Sequence, residues 1–210
     1  MAKPATSKQV SPGAPRKSAK PAASNSKKAV VHSSKTSFKG KVFTVTTDKV
    51  TEPGGVTGIR DVVRHNGSIV ILAVDSSKNP ADPLILIERQ YRYAAGRFLL
   101  ELPAGTIDVG ETPLAAAKRE LIEETGFRAG KWSKLVHSYA SPGFLAETMQ
   151  IYLAEDLKAG IAKPEPDERI ELLHIPLSEL LALIEAGQIL DGKTIIGTLY
   201  YARFRLTESK

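Results

Sequence analysis

Three glutamates in one short segment constrain this chain more than any other feature of its sequence. Glu120, Glu123 and Glu124 stand at positions i, i+3 and i+4, so in a helix they share one face with Cβ atoms roughly 5–6 Å apart. Like charges at this spacing destabilise a helix, and carboxylates near its carboxyl end oppose the macrodipole. A bound divalent cation would offset both costs, whereas the alternative interpretation is a solvated acidic face.

The residues around the glutamates predict where that helix begins and ends. Thr112 is a typical N-cap and Pro113 a typical first-turn residue, while Gly126 follows the last turn. Leu114, Ala117 and Leu121 fall on a different stripe from the carboxylates. We therefore expect one helix that packs its apolar stripe inward and presents three carboxylates on another face.

The chain has no cysteine, which excludes disulfides, thiolate metal sites and a cysteine nucleophile. Any metal must be held by oxygen ligands or by histidine, and carboxylates favour hard cations such as Mg²⁺ or Mn²⁺. The four histidines show no metal-ligand spacing and are interpreted as surface or turn residues, with a functional alternative only for the third: His32, His65, His137 and His174.

The net charge of +6 is unevenly distributed along the 210 residues. Residues 1–40 carry 8 Lys and 1 Arg with no acidic residue, and the remaining 20 basic and 23 acidic residues give the body a charge of −3. Residues 1–38, rich in Ala, Lys, Ser and Pro, are predicted to be a disordered basic tail. A solubilising tail is the favoured interpretation, but the composition also fits a transit peptide or a weak contact with nucleic acid or anionic lipid.

No apolar run reaches the length of about 18 residues that a membrane-spanning helix needs. We expect a cytoplasmic protein without a membrane partner and without a specific nucleic-acid partner. The body reads as alternating short strands and helices, which predicts an α+β fold. Residues 39–66 are predicted to form an N-terminal β region and residues 67–210 the main domain.

Hydrophobic patterning predicts the individual elements of that body. The pair Asn66–Gly67 predicts a hairpin between strands at 61–64 and 68–74. The expected strands cover 41–47, 59–64, 68–74, 83–90, 98–102, 134–139, 148–154 and 169–174, and the expected later helices cover 177–186 and 194–204.

The segment 105–127 resembles the Nudix box at every specified position: Gly, five residues, Glu, seven residues, then Arg-Glu-apolar-x-Glu-Glu-x-Gly-apolar. The resemblance implies a Nudix fold, in which helices flank a mixed sheet, and metal-dependent hydrolysis of nucleoside diphosphate derivatives. It further implies that Glu120 and Glu124 bind the metal together with the backbone carbonyl of Ala104, and that Glu123 lies close to the same ions. Arg119 and Glu111 would hold the carboxylates in place, and Gly105 would let the loop approach them closely.

Outside the box, residues 41–205 resemble ADP-ribose pyrophosphatases. The segments that carry this resemblance are Arg60-Asp-Val-Val, Glu88-Arg-Gln-Tyr-Arg92, Glu101-Leu-Pro-Ala-Gly105 and the loop Ser141-Pro142 to Glu147. It implies that Pro142 and the two arginines Arg60 and Arg92 bind substrate, that Glu147 is the base that activates water, and that the protein is a homodimer in which Arg60 reaches the partner's site. The residue types also fit an ordinary Ser-Pro-Gly turn and exposed arginines at strand ends.

Two further functions stay open on the sequence alone. Enzymes that cleave GDP-mannose or other nucleotide sugars share much of this framework, and a non-catalytic Nudix ligand sensor is a third candidate. The retained carboxylates weigh against a sensor.

Residues 187–194 also spell the phosphate-binding P-loop pattern Gly-x4-Gly-Lys-Thr. A working P-loop follows a strand, whereas the preceding residues 177–186 are helical in pattern. Gly187 is therefore interpreted as the end of one helix and Asp191 as the cap of the next, and replacing Lys193 with Ala is expected to leave hydrolysis nearly unchanged.

Overall fold

Ten strands and three helices make up residues 28–163 and 169–206, the part of the chain that the computed structural model describes. The strands are β1 (Val30–Lys39), β2 (Thr44–Thr51), β3 (Thr57–Arg64), β4 (Ser68–Asp75), β5 (Leu84–Arg92), β6 (Arg97–Glu101), β7 (Ala104–Thr106), β8 (Arg128–Tyr139), β9 (Thr148–Lys158) and β10 (Ile170–Pro176). The helices are α1 (Pro113–Thr125), α2 (Leu177–Glu185) and α3 (Gly192–Phe204).

Seven of the strands form one mixed sheet centred on β4. Its main path runs β10-β5-β4-β9-β8, with β6 paired to β5 and β7 paired to β4. Strands β4 and β9 are parallel, while the other pairs are antiparallel. All six core residues of β4 are buried because the sheet is covered on both faces.

Successive side chains of a strand point to opposite faces, so β4 contributes to two separate cores. On one face Ile69, Ile71 and Ala73 pack with Ala117 and Leu121 of α1. On the other face Val70, Leu72 and Val74 pack with residues of α2 and α3, including Leu180 and Tyr201. This helix–sheet–helix sandwich confirms the predicted α+β fold class. No helix in the described part of the chain is long and apolar enough to cross a membrane.

Helix α1 begins and ends where the sequence predicts. The Thr112 side chain accepts a hydrogen bond from the Ala115 amide, and Pro113 is the first helical residue. Gly126 ends the helix with φ +74°, a left-handed conformation that favours glycine. Elements α2 and α3 also match the predicted helices, and Asp191 caps α3 by accepting from the Thr194 amide.

The prediction of a disordered tail through residue 38 is wrong for residues 30–38, because these belong to β1. Every side chain of β1 is exposed, and the strand is held by antiparallel pairing with β2 and by polar side-chain pairs such as Ser34 with Asp48. A prediction of disorder from the lack of apolar residues to bury cannot detect a strand whose side chains are all exposed. Residues 1–27 lie outside the described residues, so disorder of the rest of the tail stays a prediction.

The predicted hairpin at Asn66–Gly67 is also wrong. Gly67 has φ +96°, as a turn requires, but the strands on its two sides enter different sheets. Strand β3 pairs with β2 in a small three-stranded sheet of order β1-β2-β3, whereas β4 pairs with β5, β7 and β9. The parallel partner β9 comes from about eighty residues downstream, and a local turn signal carries no information about it.

Candidate active site

An open cleft of about 520 Å³ lies where the large sheet, the loop after β8 and the start of α3 meet. Strand β7 forms one wall through Ala104, Gly105 and Thr106. The other walls include His65 and Ser68, Arg92, Glu147, and Asp191 to Lys193. The cleft is therefore built from segments that are far apart in the sequence.

Helix α1 places Glu120 and Glu124 next to the β7 wall, just outside the residues that line the cleft, and Glu123 pairs with Arg119 on the same helix. Glu124 is buried, with 6% exposure, and accepts a hydrogen bond of 3.2 Å from the Ala104 amide. The Glu120 side chain is 14% exposed and that of Glu123 is 43% exposed. The exposure of the three carboxylates therefore decreases from Glu123, which is solvated, to Glu124, which is held against the strand.

Arg119 gathers the acidic side chains of this region around one guanidinium group. It donates to Glu111 at 2.9 and 3.1 Å, to Glu120 at 2.7 Å, to Glu123 at 3.0 Å and to the Thr106 carbonyl at 3.2 Å. The hydrogen bonds that Arg119 donates to Glu111 raise the pKa of Arg119 above its ordinary value. The same contact lowers the pKa of the Glu111 carboxyl, so both partners are charged at neutral pH.

Gly105 is the residue that lets the strand pass directly over the Glu120 carboxylate. A Cβ atom built at Gly105 would lie 2.0 Å from both the Cδ and the Oε1 atoms of Glu120, so the Glu120 side chain or the strand would have to move. Any residue other than glycine would push the carboxylate and the strand apart. The close approach brings the backbone of Ala104 beside Glu120 and Glu124.

Oxygen donors of this kind fit a hard divalent cation. The Ala104 carbonyl, Glu120 and Glu124 offer only oxygen atoms as ligands, and the absence of a side chain at Gly105 lets the strand lie close to the helix. Within the described residues, no group of three acidic or histidine side chains lies close enough together to hold a metal ion. The chemistry of the donor set fits a metal, and in the described arrangement Arg119 pairs with two of the three helix carboxylates.

The loop after β8 brings Glu147 into the cleft but leaves Pro142 outside it. The Glu147 side chain is 22% exposed, and its Oε1 lies 3.9 Å from Nδ1 of His65. Pro142 lines a smaller neighbouring pocket together with Phe144. The loop is tied to β3, because the Val63 amide donates to the Phe144 carbonyl and the Ala146 amide donates to the Val63 carbonyl.

The two predicted substrate-binding arginines are placed differently. Arg92 lines the cleft, and its Nε and Nη2 atoms donate to the buried carboxylate of Glu101 at 2.9 and 3.1 Å. Burial lowers the pKa of Arg92, but the bonds to Glu101 outweigh it and raise the pKa above its ordinary value. Arg60 lies on β3, outside the cleft, and pairs with Glu52 at 2.9 Å.

Two residues of this site, His65 and Lys193, were not predicted from the sequence. His65 lines the cleft and its Nδ1 accepts from the Gly67 amide at 3.0 Å, although it was interpreted as a surface or turn residue. Lys193 also lines the cleft, and its ammonium group donates to Glu101 and, at 2.8 Å, to Asp191. The Gly-Lys-Thr spelling was the only sequence signal for Lys193, and the absence of a preceding strand argued against it.

Comparison with known proteins agrees with this geometry. The NUDIX domain family matches residues 64–195. An ADP-ribose pyrophosphatase of Bacillus subtilis is 37% identical over 166 residues, covering 78% of this chain and 86% of that protein. A GDP-mannose pyrophosphatase of Citrobacter koseri is 35% identical over 154 residues, covering 65% of this chain and 77% of its own.

A solved structure shows the same architecture. The crystal structure of an ADP compounds hydrolase superposes with a TM-score of 0.72 and 21% identity, covering 87% of this chain and 96% of that one. The domain match spans more than half of the chain and includes the complete box, the cleft wall on β7 and Lys193. This chain belongs to the Nudix family.

Proposed function

We propose that this protein hydrolyses the diphosphate bond of ADP-ribose to give AMP and ribose 5-phosphate, and that it requires a divalent cation, Mg²⁺ or Mn²⁺. The observation that carries the proposal is the complete Nudix box on α1, whose carboxylates Glu120 and Glu124 lie against the Ala104–Gly105 strand at the edge of the cleft. The ADP-ribose pyrophosphatase relative supports the choice of substrate.

The carbonyl of Ala104 and the carboxylates of Glu120 and Glu124 would hold the cation, with Glu123 close by. Such an ion, when bound, supplies Lewis-acid chemistry: it reduces the charge on phosphate oxygens and makes water a better nucleophile. Arg119 and Glu111 keep the carboxylates in position through the contacts described above.

The remaining steps belong to side chains in the cleft. Glu147 takes a proton from the attacking water as the water oxygen bonds to phosphorus and the anhydride P–O bond breaks. Arg92 donates to a phosphate oxygen of the substrate through the N–H groups that do not contact Glu101. Pro142 shapes the loop that carries Glu147 and would contact the nucleotide from the neighbouring pocket.

We also propose a homodimer in which the small β1-β2-β3 sheet is the contact surface. Seven large apolar residues of this part of the chain are more than 40% exposed: Val30, Val31, Phe38, Val42, Phe43, Val56 and Ile59. Exposed apolar surface of this extent is typical of an interaction site. In such a dimer Arg60, which lies outside the cleft of its own chain, would reach the cleft of the partner.

A nucleotide sugar such as GDP-mannose is the second candidate substrate. The GDP-mannose pyrophosphatase relative is almost as similar as the ADP-ribose pyrophosphatase, and the proposed metal site would act on the diphosphate that both substrates share. A ligand sensor without activity is less well supported, because all three helix carboxylates are present.

The decisive experiment compares kcat/KM for ADP-ribose, ADP-glucose, GDP-mannose and NADH in Mg²⁺ and in Mn²⁺, with products separated by chromatography. We expect the highest value for ADP-ribose, release of AMP, and loss of turnover in excess EDTA. Glu124→Gln, which keeps the size of the side chain, should reduce kcat at least about 100-fold. A preference for GDP-mannose would select the second candidate, and binding of ADP-ribose without turnover of any substrate would select the sensor.

A further inference from the structure

Lys193 is a cation that the proposed chemistry does not use, although it lies in the same cleft. It is the second residue of α3, and its side chain is only 16% exposed. Its ammonium group donates to Oε2 of Glu101 and to Oδ1 of Asp191. An ammonium group carries three N–H bonds, so these two carboxylates leave one that can reach a ligand in the cleft.

Glu101 joins Lys193 to Arg92 through one carboxylate. Oε1 accepts from Arg92 Nε, while Oε2 accepts from both Arg92 Nη2 and Lys193. The carboxylate is 3% exposed, and a buried charge is costly unless it is paired. Arg92 fills two of the roughly four acceptor positions of this carboxylate and Lys193 fills a third, so Glu101 holds two cationic side chains together at the wall of the cleft.

The position of Lys193 is fixed by contacts of its neighbours rather than by its own flexible chain. The Leu102 amide donates to the buried hydroxyl of Thr194 at 2.8 Å. Gly197, one turn further along α3, lies so close to Leu102, the residue after β6, that a Cβ would be 2.9 Å from Leu102 Cδ1. The start of α3 is thereby attached to the chain segment that continues into Ala104 and Gly105, the wall where the cation of the proposed function would bind.

We propose that Lys193 is a substrate-binding residue that donates a hydrogen bond to a phosphate oxygen of the nucleoside diphosphate, and that Glu101 positions it together with Arg92. This inference rests on the proposed function and adds a residue to it. It reverses the expectation, drawn from the sequence, that replacing Lys193 has almost no effect. Residues 187–194 still do not form a P-loop, because α3 follows a helix and a loop rather than a strand.

The test compares Lys193→Met, which keeps the length of the side chain without its charge, with Lys193→Arg and with the control Lys131→Met. Lys131 is also ion-paired, to Glu155 at 3.1 Å, but it is 67% exposed on β8 and does not line the cleft. For each protein, KM and kcat are measured with ADP-ribose, inhibition constants with AMP and with ribose 5-phosphate, and Tm by calorimetry.

We expect Lys193→Met to raise KM about 10- to 100-fold, the range for a hydrogen bond to a charged group, with a smaller change in kcat. Inhibition by whichever product carries the contacted phosphate should weaken by a similar factor. Lys193→Arg should recover most of the affinity, and Lys131→Met should match the wild type.

An unchanged KM together with a lowered Tm would overturn the inference, because Lys193 would then serve only as a counter-ion of Glu101. If Lys193→Met does not fold, Lys193→Gln takes its place in the same measurements. If the wild type hydrolyses none of the four substrates, the proposed function fails separately. The inference is then decided by calorimetric titration with ADP-ribose, and equal affinities of wild type and Lys193→Met would overturn it.

Discussion

At the scale of single residues, the active-site region depends on a few groups that each satisfy several partners. Arg119 donates hydrogen bonds to three carboxylates and a carbonyl because a guanidinium group presents five donors in a fixed planar arrangement, which lysine cannot do. Gly105 contributes by having no side chain, and Glu101 contributes by accepting from two cations. Each of these three residues acts by determining where a neighbouring side chain or strand lies.

The Glu101 carboxyl gives a pH-dependent contribution to stability. Burial raises its pKa, but the hydrogen bonds from Arg92 and Lys193 outweigh burial, so the pKa in the folded protein lies below its ordinary value. Because the folded-state pKa is depressed, the stabilisation is fully present above the ordinary value near pH 4.3 and is lost as the pH falls through the folded-state pKa.

We expect Glu101→Gln to unfold more easily than the wild type at pH 7, by about 2 kcal/mol, since it loses hydrogen bonds to charged groups. The difference should shrink as the pH falls below about 4.3, because protonated Glu101 then resembles glutamine. Urea denaturation of both proteins over this range measures it. A difference that stays constant with pH would contradict the assignment, and other carboxyls with lowered pKa, such as Glu111, contribute equally to both proteins.

At the scale of the elements, local signals predict helices better than they predict which strands pair. Helix α1 carries its own boundaries in Thr112, Pro113 and Gly126, and the structure confirms all three. Strand β1 and the turn at Asn66–Gly67 were misjudged for one physical reason. A strand is completed by hydrogen bonds to another segment, so the sequence of a single strand does not identify its partner.

One buried hydroxyl group ties the start of helix α3 to the segment that follows β6. Thr194 Oγ1 accepts from the Leu102 amide and donates to Asp191, and the residue is fully buried. We expect Thr194→Val to lower the free energy of unfolding by about 1–3 kcal/mol, because the buried Leu102 amide loses its acceptor. KM for ADP-ribose should rise as well, since Lys193 moves with the start of the helix.

Thr198 provides a matched control on the same helix. It is equally buried, and within the described part of the chain its hydroxyl has no hydrogen-bond partner. Thr198→Val should therefore be neutral or slightly stabilising in urea denaturation. Equal effects of the two substitutions would show that the Leu102–Thr194 bond does not hold α3 in place.

At the scale of the whole molecule, the small sheet β1-β2-β3 contributes no residue to the two cores of the large sheet, and several of its large apolar side chains are exposed. Interaction between two copies of this sheet would bury that surface. We expect the wild type to be a dimer and Ile59→Glu combined with Val31→Glu to be largely monomeric at micromolar concentration, because charges inside an apolar interface are costly.

Light scattering coupled to gel filtration measures this oligomeric state. Ile161→Glu is the control, since Ile161 is 81% exposed but lies outside the small sheet. The monomeric variant should also show a raised KM, because Arg60 would no longer reach a partner's cleft. A wild-type protein that is monomeric at the same concentration would contradict the proposal.

What the sequence determined by itself is the chemistry of helix α1. The spacing of its three glutamates follows from the helical period, and its boundaries follow from residues adjacent in the chain, so both can be read without knowing the fold. The candidates Glu147, Arg92 and Ala104 came from resemblance, and the structure brings all three to one cleft.

Only the tertiary structure decided that Glu101 and Lys193 meet at the same cleft. Glu101 and Lys193 are 92 residues apart, and no local pattern joins them. They meet because β6 pairs with β5 while α3 packs across the large sheet, with the Leu102 amide bound to Thr194. Contacts of this kind depend on which surfaces the whole chain can bury together. For that reason the sequence alone did not predict a role for Lys193, and its place in the candidate site is visible only in the folded protein.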